Sequence, residues 1–187
     1  MNCLGTIVNL DMAAIPSESS LVEFEEIALN SPASSIAAAQ ELLLEYGRWV
    51  LVQPGGGHFC FGSLEEEVSD LPASYLNQNG GCLIARVNSV PAGCVAWRAM
   101  PAQVAANAWE LKRLYVRPSA RGLALGRALS QAVVDRATKA ARNAVYLDTA
   151  PESMAAAHQL YLELGFIPCE RYNDNPVEGL VHLVKFL

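Results

Sequence analysis

Residues 109–142, WELKRLYVRPSARGLALGRALSQAVVDRATKAAR, constrain the fold most, because a strand, a turn and a helix follow one another there without a linker. WELKRLYV (109–116) is rich in aromatic and branched residues and reads as a strand. Pro118 cannot donate to a ladder and stops it. Gly122 allows a tight turn. Leu125, Leu129, Ala132, Val133 and Ala137 then recur at helical spacing, which predicts a helix from about Leu123 to Arg142. A helix N-terminus carries unpaired N–H groups and a partial positive charge, so it suits an anion. Arg121 adds a donor fork beside it, and five bases with no acid lie between Lys112 and Arg127. The bland alternative is a ligand-free connection of a kind common in α/β proteins. The stretch matches neither Gly-x-x-x-x-Gly-Lys-[Ser/Thr] nor Gly-x-Gly-x-x-Gly, which sets aside a P-loop and a dinucleotide fingerprint.

The rest of the chain supplies the partners of this unit. LVEFEEIA (21–28) reads as a strand. Ser31-Pro32 opens a helix that runs to Tyr46 and stops at Gly47. QPGGG (53–57) is a loop. A second helix starts at Ser63 with Glu66 as a capping box and stops before Pro72. CLIARV (82–87) and GCVAWRAM (93–100) form a hairpin around Asn88–Ala92. AVYLDT (144–149) is a strand, and Thr149 with Glu152 caps a helix that ends at Gly165. FIPCERY (166–172) and LVHLVKFL (180–187) are closing strands. The predicted order is β-α-α-β-β-β-α-β-α-β-β within one domain, 1–187. Residues 1–20 read as a loose arm or an extra edge strand.

Charge and cysteine content narrow the function classes. The net charge of −6 hides an asymmetry: residues 1–85 carry eleven acids and one base, and residues 86–187 carry eight acids and twelve bases. A globally acidic chain is a poor nucleic-acid binder, whereas a local basic cluster suits a small polyanion. The acidic half suits a cationic partner or is simply a solvated surface. No apolar run approaches the roughly 20 residues of a membrane span, and the N-terminus lacks a basic leader, so the expectation is a cytoplasmic chain without membrane contact. Five cysteines without a Cys-x-x-Cys pair argue against disulfides and a zinc ribbon. Cys82, Cys94 and Cys169 read as small buried hydrophobes. His58, His158 and His182 lack ligand spacing, so no metal is expected.

ELKRLYVRPSARGLALGRAL (110–129) resembles the acetyl-CoA-binding motif of the GNAT N-acetyltransferase superfamily, Arg/Gln-x-x-Gly-x-Gly/Ala, here Arg121-Gly122-Leu123-Ala124-Leu125-Gly126. Ala124 replaces the first glycine of that motif; with a negative φ it would still offer its N–H. LYLELGF (160–166) is similar to the family's Leu-Tyr-x-x-x-Gly-Phe, and the two motifs stand in family order with one strand between. The likeness covers residues 80–187 well and the first 80 in element order only. It implies an α/β fold: a mixed, mostly antiparallel central sheet flanked by helices on both faces. It implies acetyl-CoA as co-substrate, with Arg121, Gly122, Leu123, Ala124, Leu125, Gly126 and Arg127 around the pyrophosphate. The strand before the motif would bond the pantetheine arm through Val116 and stabilise the oxyanion near Leu114. Many members carry an asparagine seven residues before the tyrosine; here that place is Met154, and the contact is not transferred.

The same resemblance assigns Glu110 as general base and Tyr161 as the acid that protonates the leaving thiolate. Glu110 is also readable as a salt-bridge residue, and Tyr161 as a packing tyrosine. Lys112 or Arg113 would bind an acceptor's carboxylate if it points into the site. RYNDNPVEG (171–179) resembles a loop of a bacterial subgroup that would line the acceptor pocket, and Glu65, Glu66, Glu67 and Asp70 would attract an amine or face solvent. The implied reaction is transfer of acetyl from acetyl-CoA to a primary amine of a small molecule by direct attack in a ternary complex. Its rivals are a non-catalytic acyl-CoA-binding module and an acetyltransferase acting on a protein amine. The apolar last strand allows a homodimer.

Overall fold

The computed structural model of the protein describes residues 21–54 and 61–187. The expectation for residues 1–20, together with Cys3, Cys60, His58 and the glycines of 55–57, lies outside them. The elements are β1 (Val22–Glu26), α1 (Ala33–Leu51), α2 (Phe61–Ser69), α3 (Ala73–Leu76), β2 (Gly81–Val87), β3 (Val90–Ala99), α4 (Ala102–Ala105), β4 (Ala108–Val116), a 3-10 turn (Pro118–Ala120), α5 (Leu125–Lys139), β5 (Ala144–Thr149), α6 (Ala155–Glu163), β6 (Ile167–Pro168) and β7 (Val181–Phe186). The expected order holds, with two single-turn helices, α3 and α4, in addition.

The seven strands form one mixed sheet in the order β1-β2-β3-β4-β5-β7-β6, antiparallel except at β4–β5. Alternation along the strands sends side chains to two cores. On one face Leu83, Val95, Leu111, Val145 and Leu147 pack against Leu125, Leu129 and Val133 of α5 and Tyr161 of α6. On the other, Cys82, Ile84, Cys94 and Ala96 pack against Leu42 and Leu43 of α1, Leu64 and Val68 of α2, and Tyr75 of α3. Burying a Leu or Val of this kind is worth about 1.5–3 kcal/mol, so the apolar stripe read on α5 docks that helix firmly. Cys82 and Cys94 are core residues, as read from sequence, whereas Cys169, read the same way, is only partly buried.

Several element ends differ from expectation. α1 continues past Gly47 to Leu51, because Val50 is buried against the core and packing outweighs the glycine. Ser31 does not cap α1; its Oγ accepts from Ala28 N–H at 3.0 Å. Ser63 lies inside α2, which begins at Phe61, so the capping box with Glu66 is not what starts it. The β2–β3 hairpin closes on only Asn88 (φ +49) and Ser89 (φ +66), a left-handed two-residue turn. α5 is shorter than expected at both ends. α6 begins at Ala155, not at Thr149: residues 150–153 first make a turn in which Met154 N–H donates to Ala150 O at 2.7 Å. Gly165, at φ +84, ends α6 as expected. β6 is two residues long, because Tyr172 turns inward against Tyr146 and His182 instead of extending the sheet.

Candidate active site

β4 and β5 pair at only three positions, Ala108↔Ala144 to Glu110↔Tyr146. Beyond Glu110 the strands part, and a cavity of about 830 Å³ opens between them. β4 lines it from Leu111 to Val116, the N-terminal turn of α5 closes one side, and Met154, Leu160 and Tyr161 come from the α6 side.

A bulge shapes the β4 edge. Cys94 pairs with Tyr115 and Ala96 with Lys112, so Arg113 and Leu114 both oppose the single Val95. Arg113 takes φ +59 there, a left-handed conformation that costs a non-glycine residue about 1–2 kcal/mol. Its side chain is held: Nε and Nη2 donate to Glu67 Oε1 and Oε2, each at 3.1 Å, and the guanidinium lies 5.8 Å from the Tyr46 ring centroid. Tyr75 donates to the same carboxylate. Burial opposes the charged form of Glu67, but the hydrogen bonds and charge of Arg113 outweigh it and hold the carboxyl below its ordinary value.

At the anion end, Gly122 has φ +85 with nothing near a notional Cβ, so the backbone conformation alone requires glycine. Ala124 has φ +56, so the negative φ on which its donor role was conditioned is not what the turn adopts; the turn into α5 needs a left-handed residue whatever side chain it carries. The N–H groups of Gly122 through Arg127 have no acceptor among the described residues. Leu123 is 43% exposed and does not line the cavity; only its main chain belongs to the turn. The basic cluster is mostly neutralised. Arg113 is held by Glu67, Arg117 by Glu41 and Glu45, and Arg127 by Glu163, while Lys112 stands 3.6 Å from Glu110. Arg121, also on the cavity wall, has no side-chain partner among the described residues.

The two residues assigned to proton transfer sit differently. Tyr161 lines the cavity, is 5% exposed and packs edge-on against Phe166 at 5.7 Å. Its phenol makes no hydrogen bond to protein among the described residues, and burial raises its pKa, reinforced by Tyr46 and Asp148. Glu110 is 2% exposed and is not part of the cavity wall. Its Oε2 accepts from Arg98 Nε at 2.7 Å and its Oε1 from Tyr172 Oη at 3.2 Å. The structure therefore gives Glu110 the ion pair that was its bland reading.

Sequence reasoning missed Asp148, which lies on β5 two residues past Tyr146, the last residue paired with β4, and lines the cavity. Its Oδ2 accepts from Asn173 Nδ2 at 2.8 Å and Asn175 Nδ2 at 3.1 Å, and Oδ1 has no partner among the described residues. The 171–179 loop thus reaches the cavity, with Asn175 and Val177 on its wall. One signal for Asp148 was available: an acid two residues beyond a strand's final pairing, but the pairing itself is not readable from one sequence. Tyr46 also lines the cavity, and so does Trp49, because α1 runs past its expected end. Glu65, Glu66 and Asp70 face solvent.

Comparison with known proteins agrees with this architecture. The model of the acetyltransferase (GNAT) family matches residues 44–166. An uncharacterized N-acetyltransferase of Schizosaccharomyces pombe is 31% identical over 133 residues, 71% of this chain and 79% of that protein. The N-acetylaspartate synthetase of Xenopus tropicalis is 30% identical over 121 residues, 64% of this chain but 43% of that longer protein. Among solved structures, yncA of Salmonella typhimurium, determined with its cofactor acetyl-CoA, superposes with a TM-score of 0.65 at 18% identity, covering 88% of this chain and 93% of that one. The chain belongs to the GNAT acetyltransferase family. It is an acyltransferase with acetyl-CoA as its co-substrate, and the free N–H groups of 122–127, the unpaired Arg121 and the split beside Val116 fit that donor. No helix among the described residues is long and apolar enough to cross a membrane.

Proposed function

We propose that the chain acetylates the primary amine of a small molecule by direct attack while both substrates are bound. The observation that carries this reading is one continuous cavity lined by the open N-terminus of α5, by Tyr161 and by Asp148. Acetyl-CoA supplies an acetyl group activated as a thioester. The main chain of residues 122–127 and the Arg121 fork hold its pyrophosphate. Val116 bonds the pantetheine arm, and the bulge at Leu114 turns a main-chain N–H toward the carbonyl oxygen. The side chains of Leu125 and Arg127 matter less here than the backbone of Leu125, Gly126 and Arg127.

Asp148, not Glu110, is the amine-facing carboxylate on this reading, because Glu110 is sealed behind the wall by Arg98 and Tyr172. The N–C bond forms as the C–S bond breaks. The bound ammonium first loses one proton to solvent, which frees the lone pair; a second proton leaves nitrogen to Asp148 as the bond forms, Tyr161 gives its proton to the departing thiolate, and solvent carries the proton on Asp148 back to Tyr161. A thiol acyl-enzyme is disfavoured: no cysteine among the described residues lines the cavity, and burial pushes the Cys82 thiol up to about 12 and that of Cys94 upward too. The relation to an N-acetylaspartate synthetase supports an acceptor amine on a small molecule.

The test is Tyr161→Phe. Turnover, read as thiol release, should fall about 100-fold or more, while calorimetric affinity for acetyl-CoA stays within about twofold. Unchanged turnover would remove Tyr161 from the chemistry. Acetyl-CoA binding by a wild-type chain that acetylates no free or peptide-borne amine would instead mean a binding module.

A further inference from the structure

Resting on that reading of the cavity, we infer that the acceptor is a free amino acid in its zwitterionic form, its carboxylate borne on the carbon that carries the amine, with Lys112 receiving the carboxylate and Asp148 the ammonium.

The argument begins at the last paired residues of the seam. Glu110 is opposite Tyr146. Side chains two residues further along each strand return to the same face of the sheet, so Lys112 and Asp148 face each other across the point where the strands separate. Had the pairing continued, they would be a cross-strand ion pair. They are not in contact: no ion pair within 4.0 Å joins them. A cation and an anion thus flank the mouth of the split, held apart by the split itself.

Lys112 is short of partners. Its side chain is 18% exposed and, among the described residues, its only ion pair is the long one to Glu110, at 3.6 Å. Glu110 Oε2 is already occupied by Arg98 at 2.7 Å. The three N–H donors of the ammonium have no acceptor within hydrogen-bond distance among the described residues, and Lys112 is one of the residues that line the cavity. An ammonium kept this dry is costly unless an anion meets it. Arg113, the other cation at this height, is held in a bidentate pair by Glu67, which leaves Lys112 for the ligand.

Asp148 mirrors this. Two amides fix its Oδ2 and leave Oδ1 for a donor. An ammonium at Oδ1 and a carboxylate at Lys112 would satisfy both groups with one small molecule, and would hold the nitrogen at the seam where the thioester lies on the proposed reading. A simple alkylamine would satisfy Asp148 and leave Lys112 unmet.

The experiment compares each common amino acid with its own carboxamide as acceptor, in wild type, Lys112→Met and Lys112→Arg, by thiol release, with acetyl-CoA affinity measured in parallel. At least one free amino acid should exceed its carboxamide about 100-fold in kcat/KM, since a site built for a polar group rejects the analogue lacking it. Lys112→Met should collapse that ratio toward one through KM, and Lys112→Arg should retain most of it. Carboxamides or plain amines accepted as well as acids by the wild type would overturn the inference, and so would an unchanged ratio in Lys112→Met. If acetyl-CoA binds and no amino acid is acetylated, the carboxylate role of Lys112 is wrong. If acetyl-CoA does not bind at all, the transfer reading beneath it falls first.

Discussion

Ala124 holds φ +56 at the entry to α5, where its methyl group gains nothing and strains the backbone. Ala124→Gly should therefore raise stability by about 1 kcal/mol, the left-handed penalty exceeding the entropy that glycine adds to the unfolded chain. A chemical denaturation midpoint below that of wild type would show that the turn is not strained. Tyr161 offers a second test at this scale. It donates only while protonated, and burial raises its pKa above the ordinary 10.0. Loss of turnover through tyrosine ionisation should thus appear only above about pH 10. A falling limb between pH 8 and 10 that Tyr161→Phe abolishes would contradict the assignment.

Between elements, the tie that matters most for the site joins α2 to the β4 bulge through Glu67 and Arg113. Glu67→Gln would leave a guanidinium, 13% exposed, without its counter-ion, at a cost of about 3 kcal/mol. The sign follows from the carboxyl's lowered pKa: its contribution is complete above the ordinary carboxylate range and is lost as pH falls through the folded value. The stability deficit of Glu67→Gln should be full at about pH 7 and shrink toward about pH 3. A deficit that stays constant with pH would remove the charge from the argument. This link also marks what the sequence could not tell. The strand–turn–helix at 109–139, the cysteines in the core and the glycine stop at Gly165 were legible, because each follows from local pattern. The bulge, the pairing of Arg113 with Glu67 and the seat of Asp148 were not, because each depends on which strand lies beside which. Glu110 shows the limit sharply: its place on the strand was read correctly, while the Arg98 and Tyr172 that enclose it come from 12 positions before and 62 after.

Over the whole molecule, the charge asymmetry resolves into internal contacts. Acids of the first half meet bases of the second: Glu25–Arg86, Glu26–Arg136, Glu41 and Glu45 with Arg117, Glu67–Arg113. Five of the eleven acids that suggested a cationic partner or a solvated face are thus met by the chain's own bases, while Arg121 has no ion-pair partner among the described residues. The sheet is likewise two parts, β1–β4 and β5-β7-β6, joined by three residue pairs. If the pantetheine arm fills the seam, acetyl-CoA should slow hydrogen exchange at amides on both edges, residues 113–116 and 147–150, as well as at 122–127. Adenosine 3′,5′-bisphosphate should protect the turn alone. Equal protection by both ligands would mean that the arm lies elsewhere.

That seam is edged by peptide groups, and peptide groups are common to every amino acid. On the proposed reading the donor is gripped, Arg121 aside, by main-chain groups that every substitution but proline keeps, while the acceptor is met by side chains such as Lys112 and Asp148 that a single codon change replaces. The two halves of the reaction are then separately heritable: new acceptors can be explored around an unaltered donor slot, with each trial variant still charged with acetyl-CoA.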